Sequence, residues 1–394
     1  MAIVRPANFA AILSILAVSL SASGAPRQSF TAEQQASAVV PGMPDIRAWA
    51  DSPEAARSAT RIAQAPFKHF SYLALSGGGG DGAFGAGLLK GWTRTGTRPE
   101  FSVVSGVSTG ALIAPFAFLG PAYDDTLKDM YTGGYGITLI DSPDPISAVF
   151  GPGIFDSGRM LTLARKFVTS DVIAAVAREH RKGRRLLVLT TNIDAQRPVV
   201  WDMGAIAASG APGADELFRT VMAASASIPG IFTPTLIPAE SGGHRFQEMH
   251  VDGGVISNVF VLPDYFLANS SFLPLKGKGD LYVLMNGKLH PTFEVTENRT
   301  VDIVGRSVST MIRTHSRATL QSTYALTRRS GIGFHLAAIP GNVHDSDAGE
   351  FDTDEMRQLY QFGYDRASSG KAWVSAPSQE AEPQMASTRV PTVN

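Results

Sequence analysis

A serine in a glycine-flanked turn is the first candidate for chemistry in this sequence. Gly106-Val107-Ser108-Thr109-Gly110 has the form G-x-S-x-G, with an apolar run at 101–104 before it and an apolar helical stretch at 111–119 after it. Such a turn lifts a serine hydroxyl above the edge of a sheet, and its glycines allow a crowded backbone. The pattern predicts that Ser108 is a nucleophile. A chance match in a glycine-rich chain is the alternative.

Four consecutive glycines, Gly77 to Gly80, could stabilise the oxyanion that such a serine generates. They follow an apolar run at 70–75 and precede a helix, so their backbone amides can converge on developing negative charge. Residues 80–85 also fit the G-x-G-x-x-G motif of dinucleotide-binding proteins. That motif requires an acidic residue at the end of the second strand, and Glu100 precedes that strand instead. We therefore favour an oxyanion loop, with a purely structural tight turn as the alternative.

A nucleophilic serine also needs a base, and two residue types could supply it. Asp252 ends an extended segment, and Gly253 and Gly254 after it let another backbone approach closely. Asp-Gly-Gly by itself is more often a turn. Among the histidines that follow Ser108 in the chain, His244, His250, His290 and His315 have no recognisable setting.

The elements around these residues predict an α/β fold with a parallel sheet wrapped by helices. Strand, loop and helix follow one another twice, first around the glycine run and then around the serine turn. Apolar periodicity further predicts helices over 161–180, 214–227, 301–328 and 355–368, and strands over 185–192, 198–202, 281–285 and 333–339.

Taken together, these segments resemble the patatin-like phospholipases, over roughly residues 70 to 290. The family carries an oxyanion loop, then G-x-S-x-G, then Asp-Gly-Gly or Asp-Gly-Ala; here these stand at Gly77 to Gly82, Gly106 to Gly110 and Asp252 to Gly254, in the same order. Two softer blocks agree with the family, namely residues 190–194 followed by Trp201, and residues 223–234 (AASASIPGIFTP).

The resemblance implies a three-layer α/β/α sandwich around a mainly parallel sheet, and hydrolysis of acyl esters in lipids. It implies that Ser108 is the nucleophile, that Asp252 is its sole base, and that the amides of Gly78, Gly79 and Gly80 form the oxyanion hole. The sequence departs from the family at Asp81, where Lys or Arg is usual. Anionic head-group recognition is therefore in doubt, although Asp81 could instead cap the helix that follows.

Two other functions remain open at this stage. One is an α/β-hydrolase esterase with a Ser-Asp-His triad, for which His290 or His315 would be the candidate. The other is a non-catalytic lipid-binding protein on the same fold. The lipid class and the acyl position are not predicted.

Composition excludes several further classes. Lys and Arg total 34 against 35 Asp and Glu, so the chain has no basic excess for nucleic acid. The absence of cysteine excludes disulfides, thiolate metal sites and a cysteine nucleophile. The histidines are scattered, so no metal or cofactor is predicted. The expected partner is a lipid or acyl ester, which could be met at a membrane surface; oligomeric state is left open.

The ends of the sequence predict export and a single catalytic domain. Residues 1–24 resemble a signal peptide, with Arg5, an apolar run at 9–20 and small residues before a cleavage position after Gly24. We therefore expect a periplasmic or secreted protein. The predicted organisation is a loosely structured arm over 25–66, a catalytic domain over 67–375 and a disordered tail over 376–394. Residues 133–155 are Gly- and Pro-rich and read as either a connecting loop or a flap.

Overall fold

A computed structural model describes residues 27–141, 153–263, 279–293, 295–343 and 351–379. The predicted signal peptide lies outside the described residues. So do residues 142–152 of the predicted loop or flap, and all but the first residues of the predicted tail.

The described residues form eleven strands and twelve α-helices. The strands are β1 (Arg47–Trp49), β2 (Phe70–Leu75), β3 (Val103–Gly106), β4 (Gly153–Phe155), β5 (Arg185–Asn192), β6 (Arg197–Asp202), β7 (Gly230–Phe232), β8 (Thr235–Ser241), β9 (His244–Asp252), β10 (Gly279–Lys288) and β11 (Gly333–Ile339). The helices are α1 (Ala32–Ala36), α2 (Pro53–Ala63), α3 (Gly82–Arg94), α4 (Thr109–Leu119), α5 (Asp124–Thr132), α6 (Ile137–Ile140), α7 (Gly158–Phe167), α8 (Ser170–Arg181), α9 (Met203–Ala208), α10 (Ala214–Ser225), α11 (Thr300–Ser330) and α12 (Thr353–Ser368).

One mixed, mainly parallel sheet organises the described chain. Its strand order is β1-β6-β5-β3-β2-β10-β11, and the five strands from β5 to β11 in this order are parallel. β6, β1 and the β8–β9 hairpin join antiparallel, while β4 and β7 form a separate two-stranded sheet. The carboxyl ends of the parallel strands meet at one edge, which carries the glycine loop after β2 and the serine turn after β3.

Helices cover both faces of the sheet, which confirms the predicted three-layer α/β/α fold. Successive side chains of a strand point to opposite faces. Leu73 and Leu75 of β2 accordingly pack into the core shared with α3, α4 and α12, whereas Tyr72 and Ala74 pack into the core beneath α11. None of the described helices is long and apolar enough to span a membrane.

The N-terminal arm is more ordered than its composition suggests. Residues 32–63, expected to be loosely structured, form α1, β1 and α2, and β1 extends the main sheet by pairing with β6. The Arg47 guanidinium binds the buried carboxylate of Glu248 on β9, and Gln35 donates to the same carboxylate at 2.5 Å. A composition rich in Ala, Gln, Ser and Pro does not reveal these partners, which lie about two hundred residues away. The arm is therefore part of the domain.

Three local predictions also need correction. The single helix predicted over 161–180 is two helices, because the chain turns at Val168 and Thr169 caps α8 by accepting a hydrogen bond from the Val172 amide. The strand predicted over 101–104 begins two residues later, at Val103. The β8–β9 hairpin was not predicted beyond a short extended segment ending at Asp252. Several side chains of β9 are polar, and their burial depends on the N-terminal arm and on β5. The sequence around β9 therefore lacks a clear apolar alternation.

Candidate active site

Ser108 lies on a tight turn between β3 and α4, with a backbone conformation that only a constrained residue adopts. Its φ of 55° and ψ of −125° lie outside the regions that are ordinarily allowed for a residue with a side chain. Such strain persists only where the surroundings enforce it, and it concentrates at functional sites. Gly110 is required here because a side chain would collide with the carbonyl oxygens of Leu75 and Ser76.

The hydroxyl of Ser225 holds this turn in place. Its Oγ accepts a hydrogen bond from the Ser108 amide at 3.0 Å and donates one to the Leu189 carbonyl at 2.7 Å. Ser225 is fully buried at the end of α10, so both bonds are shielded from water. The resemblance described above includes the surrounding block, residues 223–234, but assigns no role to it. The structure shows that this block anchors the serine turn to β5.

The glycine loop lies directly against Ser108. A side chain on Gly77 would come within 3.0 Å of the Ser108 Cβ, and the Gly77 amide is already engaged by the Asn258 carbonyl at 2.9 Å. By contrast, no described residue accepts a hydrogen bond from the amides of Gly78, Gly79 or Gly80. These three donors precede α3, whose N-terminal dipole favours negative charge. The loop can therefore donate to an oxyanion near Ser108.

Strand pairing brings Asp252 to the same place. β6 occupies one side of β5 from Leu187 to Asn192, so β3 and β9 share the other side. Gly106 at the end of β3 is opposite Val188, and Asp252 at the end of β9 is opposite Thr190. Two residues along a strand span about 7 Å. β9 thus ends just beyond the point where β3 turns into Ser108.

Close packing and hydrogen bonds then orient Asp252. A side chain on Gly253 would come within 3.0 Å of Val107, the residue before the serine. The Asp252 carboxylate accepts a hydrogen bond from the Gly254 amide at 2.7 Å, and its own amide donates to the Ser227 carbonyl. Ser108 and Asp252 are both 5% exposed. All three motifs therefore converge at one edge of the sheet, with Ser225 holding the serine turn and Ser227 holding the aspartate strand.

The cavity next to Ser108 is small and apolar. It has a volume of about 30 Å³ and is lined by Ser108, Gly79 and mainly apolar side chains, among them Leu112, Met160 and Phe351. Such a volume holds only a few water-sized molecules. A second apolar cavity, of about 170 Å³, lies beneath α2 at the opposite edge of the sheet and does not include Ser108.

No histidine among the described residues lines the cavity over Ser108. His315 is exposed on α11, and His290 lines a different cavity together with Arg317. His250 is fully buried two residues before Asp252, where it contacts Thr190 and Glu248, and burial lowers its pKa. Strand pairing places Asp252 next to the serine turn, and none of His250, His290 and His315 lines the cavity there. Within the described ranges, no three acidic or histidine side chains are grouped to hold a metal ion.

Asp81 occupies the N-cap position of α3 without acting as a cap. Its side chain makes no hydrogen bond to the amides of the first turn, which corrects the capping alternative. The carboxylate instead approaches Gly287 at the end of β10. The reason is local: Asp81 already has helical φ and ψ, whereas a capping side chain needs an extended backbone.

One comparison with known proteins identifies a family. Residues 73–265 match the family model described as patatin-like phospholipase. No curated protein matches the chain. Among solved structures, the crystal structure of VipD from Legionella pneumophila is similar with a TM-score of 0.38 and 13% sequence identity. That match covers 77% of this chain and 66% of VipD, so the chain spans just under two thirds of the VipD chain.

Proposed function

Because residues 73–265 of this chain are a patatin-like phospholipase domain, we propose that the protein hydrolyses acyl esters of lipids with a Ser108–Asp252 dyad. The observation that carries the proposal is the convergence of three features. They are a strained serine turn, an aspartate at the end of the adjacent strand, and three glycine amides without an acceptor among the described residues. The family acts on lipid esters, and this site has the groups which that chemistry requires.

In the proposed reaction, the Asp252 carboxylate takes the hydroxyl proton of Ser108 while the Ser108 Oγ attacks the ester carbonyl carbon. Negative charge then develops on the carbonyl oxygen, and the amides of Gly78, Gly79 and Gly80 donate hydrogen bonds to it. The tetrahedral intermediate collapses, the C–O bond to the leaving alcohol breaks, and the alcohol takes the proton from Asp252. An acyl-enzyme on Ser108 remains.

Water completes the cycle by the same route. Asp252 accepts a proton from a water molecule that attacks the acyl-enzyme carbonyl, and the glycine amides again stabilise the oxyanion. Collapse releases the fatty acid and returns the proton to Ser108. Each turnover consumes one ester and one water and yields one acid and one alcohol, so the residues present suffice without a cofactor.

The test uses a fluorophosphonate probe and mass spectrometry. We expect the probe to modify Ser108 in the native protein and to react at least about a hundredfold more slowly with Asp252→Asn, because the serine then has no base. The matched control is a His290→Ala, His315→Ala double variant, which we expect to react like the native protein. Loss of labelling in the control with normal labelling of Asp252→Asn would replace the dyad by a histidine triad. A native protein that binds lipid but neither reacts nor hydrolyses would be a binding protein.

We further propose that the protein is exported by means of residues 1–24, which lie outside the described residues. The support is the sequence pattern alone: a single positive charge, a short apolar run and small residues before Ala25. N-terminal sequencing of the full chain expressed in a bacterial host should find Ala25 first in the periplasmic or secreted fraction. Recovery of the uncleaved chain from the cytosol alone would contradict export.

A further inference from the structure

The two halves of α11 have different surroundings. In the C-terminal half, five residues are buried against the sheet: Ser316, Leu320, Thr323, Leu326 and Thr327. In the N-terminal half, from Thr300 to His315, none of the described side chains is buried. A helix of 31 residues is normally stabilised by packing along its length, so the exposed half is unusual.

The exposed half of α11 projects past the edge of the sheet that carries Ser108. α11 ends at Ser330, next to the start of β11 at the opposite edge, and it measures about 46 Å at 1.5 Å per residue. A strand of seven residues such as β11 measures only about 23 Å. The helix therefore reaches the catalytic edge near its midpoint. A contact near the midpoint of α11 supports this position. The Asn258 side chain donates a hydrogen bond to Ser316 at 3.4 Å, and the Asn258 carbonyl accepts one from the Gly77 amide of the glycine loop.

Large apolar side chains lie on this projecting half and on the segment before it. We call three of them, Met311 (63% exposed), Val304 (55%) and Val308, the projecting face; Phe293 (96%), Val295 (79%) and Ile303 are also exposed. Val304, Val308 and Met311 lie at i, i+4 and i+7, on one side of the helix. On the other side of the helix, the Arg306 side chain binds the Thr292 carbonyl and so holds the segment that carries Phe293 against α11. Apolar side chains grouped in this way mark an interaction surface.

Charge indicates the kind of surface that would cover this face. Between Thr300 and Arg317, α11 carries three arginines (Arg306, Arg313 and Arg317) and one aspartate, Asp302, which pairs with Arg299. The arginines lie off the apolar stripe, on the remaining side of the helix. A helix with one apolar side and one basic side is typical of segments that lie in the interface of an anionic lipid layer, where apolar side chains enter the acyl region and arginines reach phosphates.

We propose that the projecting face docks the protein onto the surface of a lipid aggregate that carries anionic head groups. The proposal rests on the function proposed above, since the substrate of a lipid acyl hydrolase is present in such aggregates. Docking through the projecting half of α11 places the lipid surface at the edge of the sheet that carries Ser108. It also explains how the small cavity next to Ser108 can coexist with a lipid substrate: side chains there need move only after the surface has been reached.

The test separates docking from chemistry by using two readouts on the full chain. Binding is measured by co-sedimentation with vesicles of phosphatidylcholine, alone or mixed with phosphatidylglycerol, using Ser108→Ala so that lipid is not consumed. Chemistry is measured with a monomeric short-chain p-nitrophenyl ester and the Ser108-active protein. We expect binding to the mixed vesicles that weakens with added salt. We expect at least about tenfold weaker binding after Val308→Glu with Met311→Glu, because two apolar side chains no longer enter the lipid.

The matched control is Ser309→Glu with Thr310→Glu, which adds the same charge to the same helix outside the apolar stripe. We expect it to lose less than about threefold of the binding. Neither double variant should change hydrolysis of the monomeric ester, since none of the four residues lines the cavity next to Ser108. Equal loss in the two double variants, or no vesicle binding by the parent protein, would overturn the docking proposal. A dimer that Val308→Glu with Met311→Glu dissociates would overturn it in favour of self-association. No ester hydrolysis with normal docking would instead reject the proposed function.

Discussion

At the scale of single residues, the candidate site depends on hydrogen bonds that hold a strained backbone. Ser108 has an unfavourable conformation, and the Ser225 hydroxyl binds its amide directly. In the proposed reaction, the Ser108 Oγ and the glycine amides must be positioned within a fraction of an ångström for attack on an ester. Ser225 would therefore act as a positioning residue, through Ser108, without touching the substrate.

We predict that Ser225→Ala reduces kcat about 10- to 100-fold with little change in KM, because the serine turn loses its anchor. The free energy of unfolding should also fall, by about 1–3 kcal/mol, since the Ser108 amide and the Leu189 carbonyl would remain buried without this partner. Steady-state kinetics on a monomeric ester and urea unfolding measure the two effects.

Ser227→Ala is the matched control for this prediction. Ser227 is also fully buried, and its hydroxyl donates to the Ala223 carbonyl, but that hydroxyl does not bind the serine turn. We expect a comparable loss of stability with an unchanged kcat, and partial recovery of kcat in Ser225→Thr, which keeps a hydroxyl. Equal kcat losses in both alanine variants would indicate a purely structural role for Ser225.

At the scale of elements, α3 is fixed behind the glycine loop by an unusually close contact with α12. A side chain on Gly87 would lie 1.9 Å from the Tyr360 carbonyl oxygen, and one on Gly363 would lie 2.2 Å from the Phe84 carbonyl oxygen. Both obstacles are backbone atoms, which cannot rotate away. The two helices therefore approach as closely as their backbones allow, and this contact sets the position of the N-terminus of α3 next to the glycine loop.

We predict that Gly87→Ala lowers the free energy of unfolding by more than about 2 kcal/mol, because α12 must move away from α3. Gly305→Ala is the control. Gly305 lies in the projecting half of α11 with no heavy atom within 4 Å of an added Cβ, so alanine should raise stability by roughly 0.5–1 kcal/mol through helix propensity. Urea unfolding at neutral pH measures both changes. Similar values for the two variants would contradict the close helix contact.

At the scale of the whole molecule, a buried polar cluster joins the N-terminal arm to the aspartate strand. Arg47 of β1 binds Glu248 of β9, and His250 binds Glu248 at 3.2 Å and Thr190 at 2.9 Å. Burial alone would raise the pKa of Glu248, but hydrogen bonds from His250 and Arg47 outweigh it and bring that pKa to about 2. Burial lowers the pKa of His250 below its ordinary value of 6.5.

We predict that the protein loses stability as the pH falls below about 6.5. His250 has a lower pKa in the folded state than in the unfolded state, so the unfolded chain binds more protons in this range and acid favours unfolding. Glu248 should add to this loss below its ordinary pKa of 4.5, because its pKa in the folded protein is about 2. Urea unfolding at several pH values measures the slope.

His250→Asn should flatten this slope between about pH 6.5 and pH 5, whereas His315→Asn, at an exposed position on α11, should leave it unchanged. A native slope that persists in His250→Asn would show that other groups are responsible for the loss of stability in acid.

Local patterns in the sequence were sufficient to predict the α/β class, most of the central elements and the three motifs. The reason is that a strand-turn-helix unit with glycines at the turn is encoded within about fifteen residues, as around Ser108. The family match confirms the resemblance over residues 73–265. The order of the motifs along the chain indicated which residues should meet, and the roles of Ser108, Asp252 and the glycine amides stay predictions until the probe experiment is done.

Only the tertiary structure decided how these segments are held together. Ser225 contacts Ser108 across 117 residues of chain, and Arg47 contacts Glu248 across 201 residues, so no local pattern reveals either bond. Three further features likewise depend on which surfaces pack together. They are the regular structure of the N-terminal arm, the position of β9 beside β5 and the exposure of one half of α11. Apolar periodicity predicts that a helix forms. Whether a side chain of that helix is buried depends on the elements that pack against it, and the fold as a whole determines which elements these are.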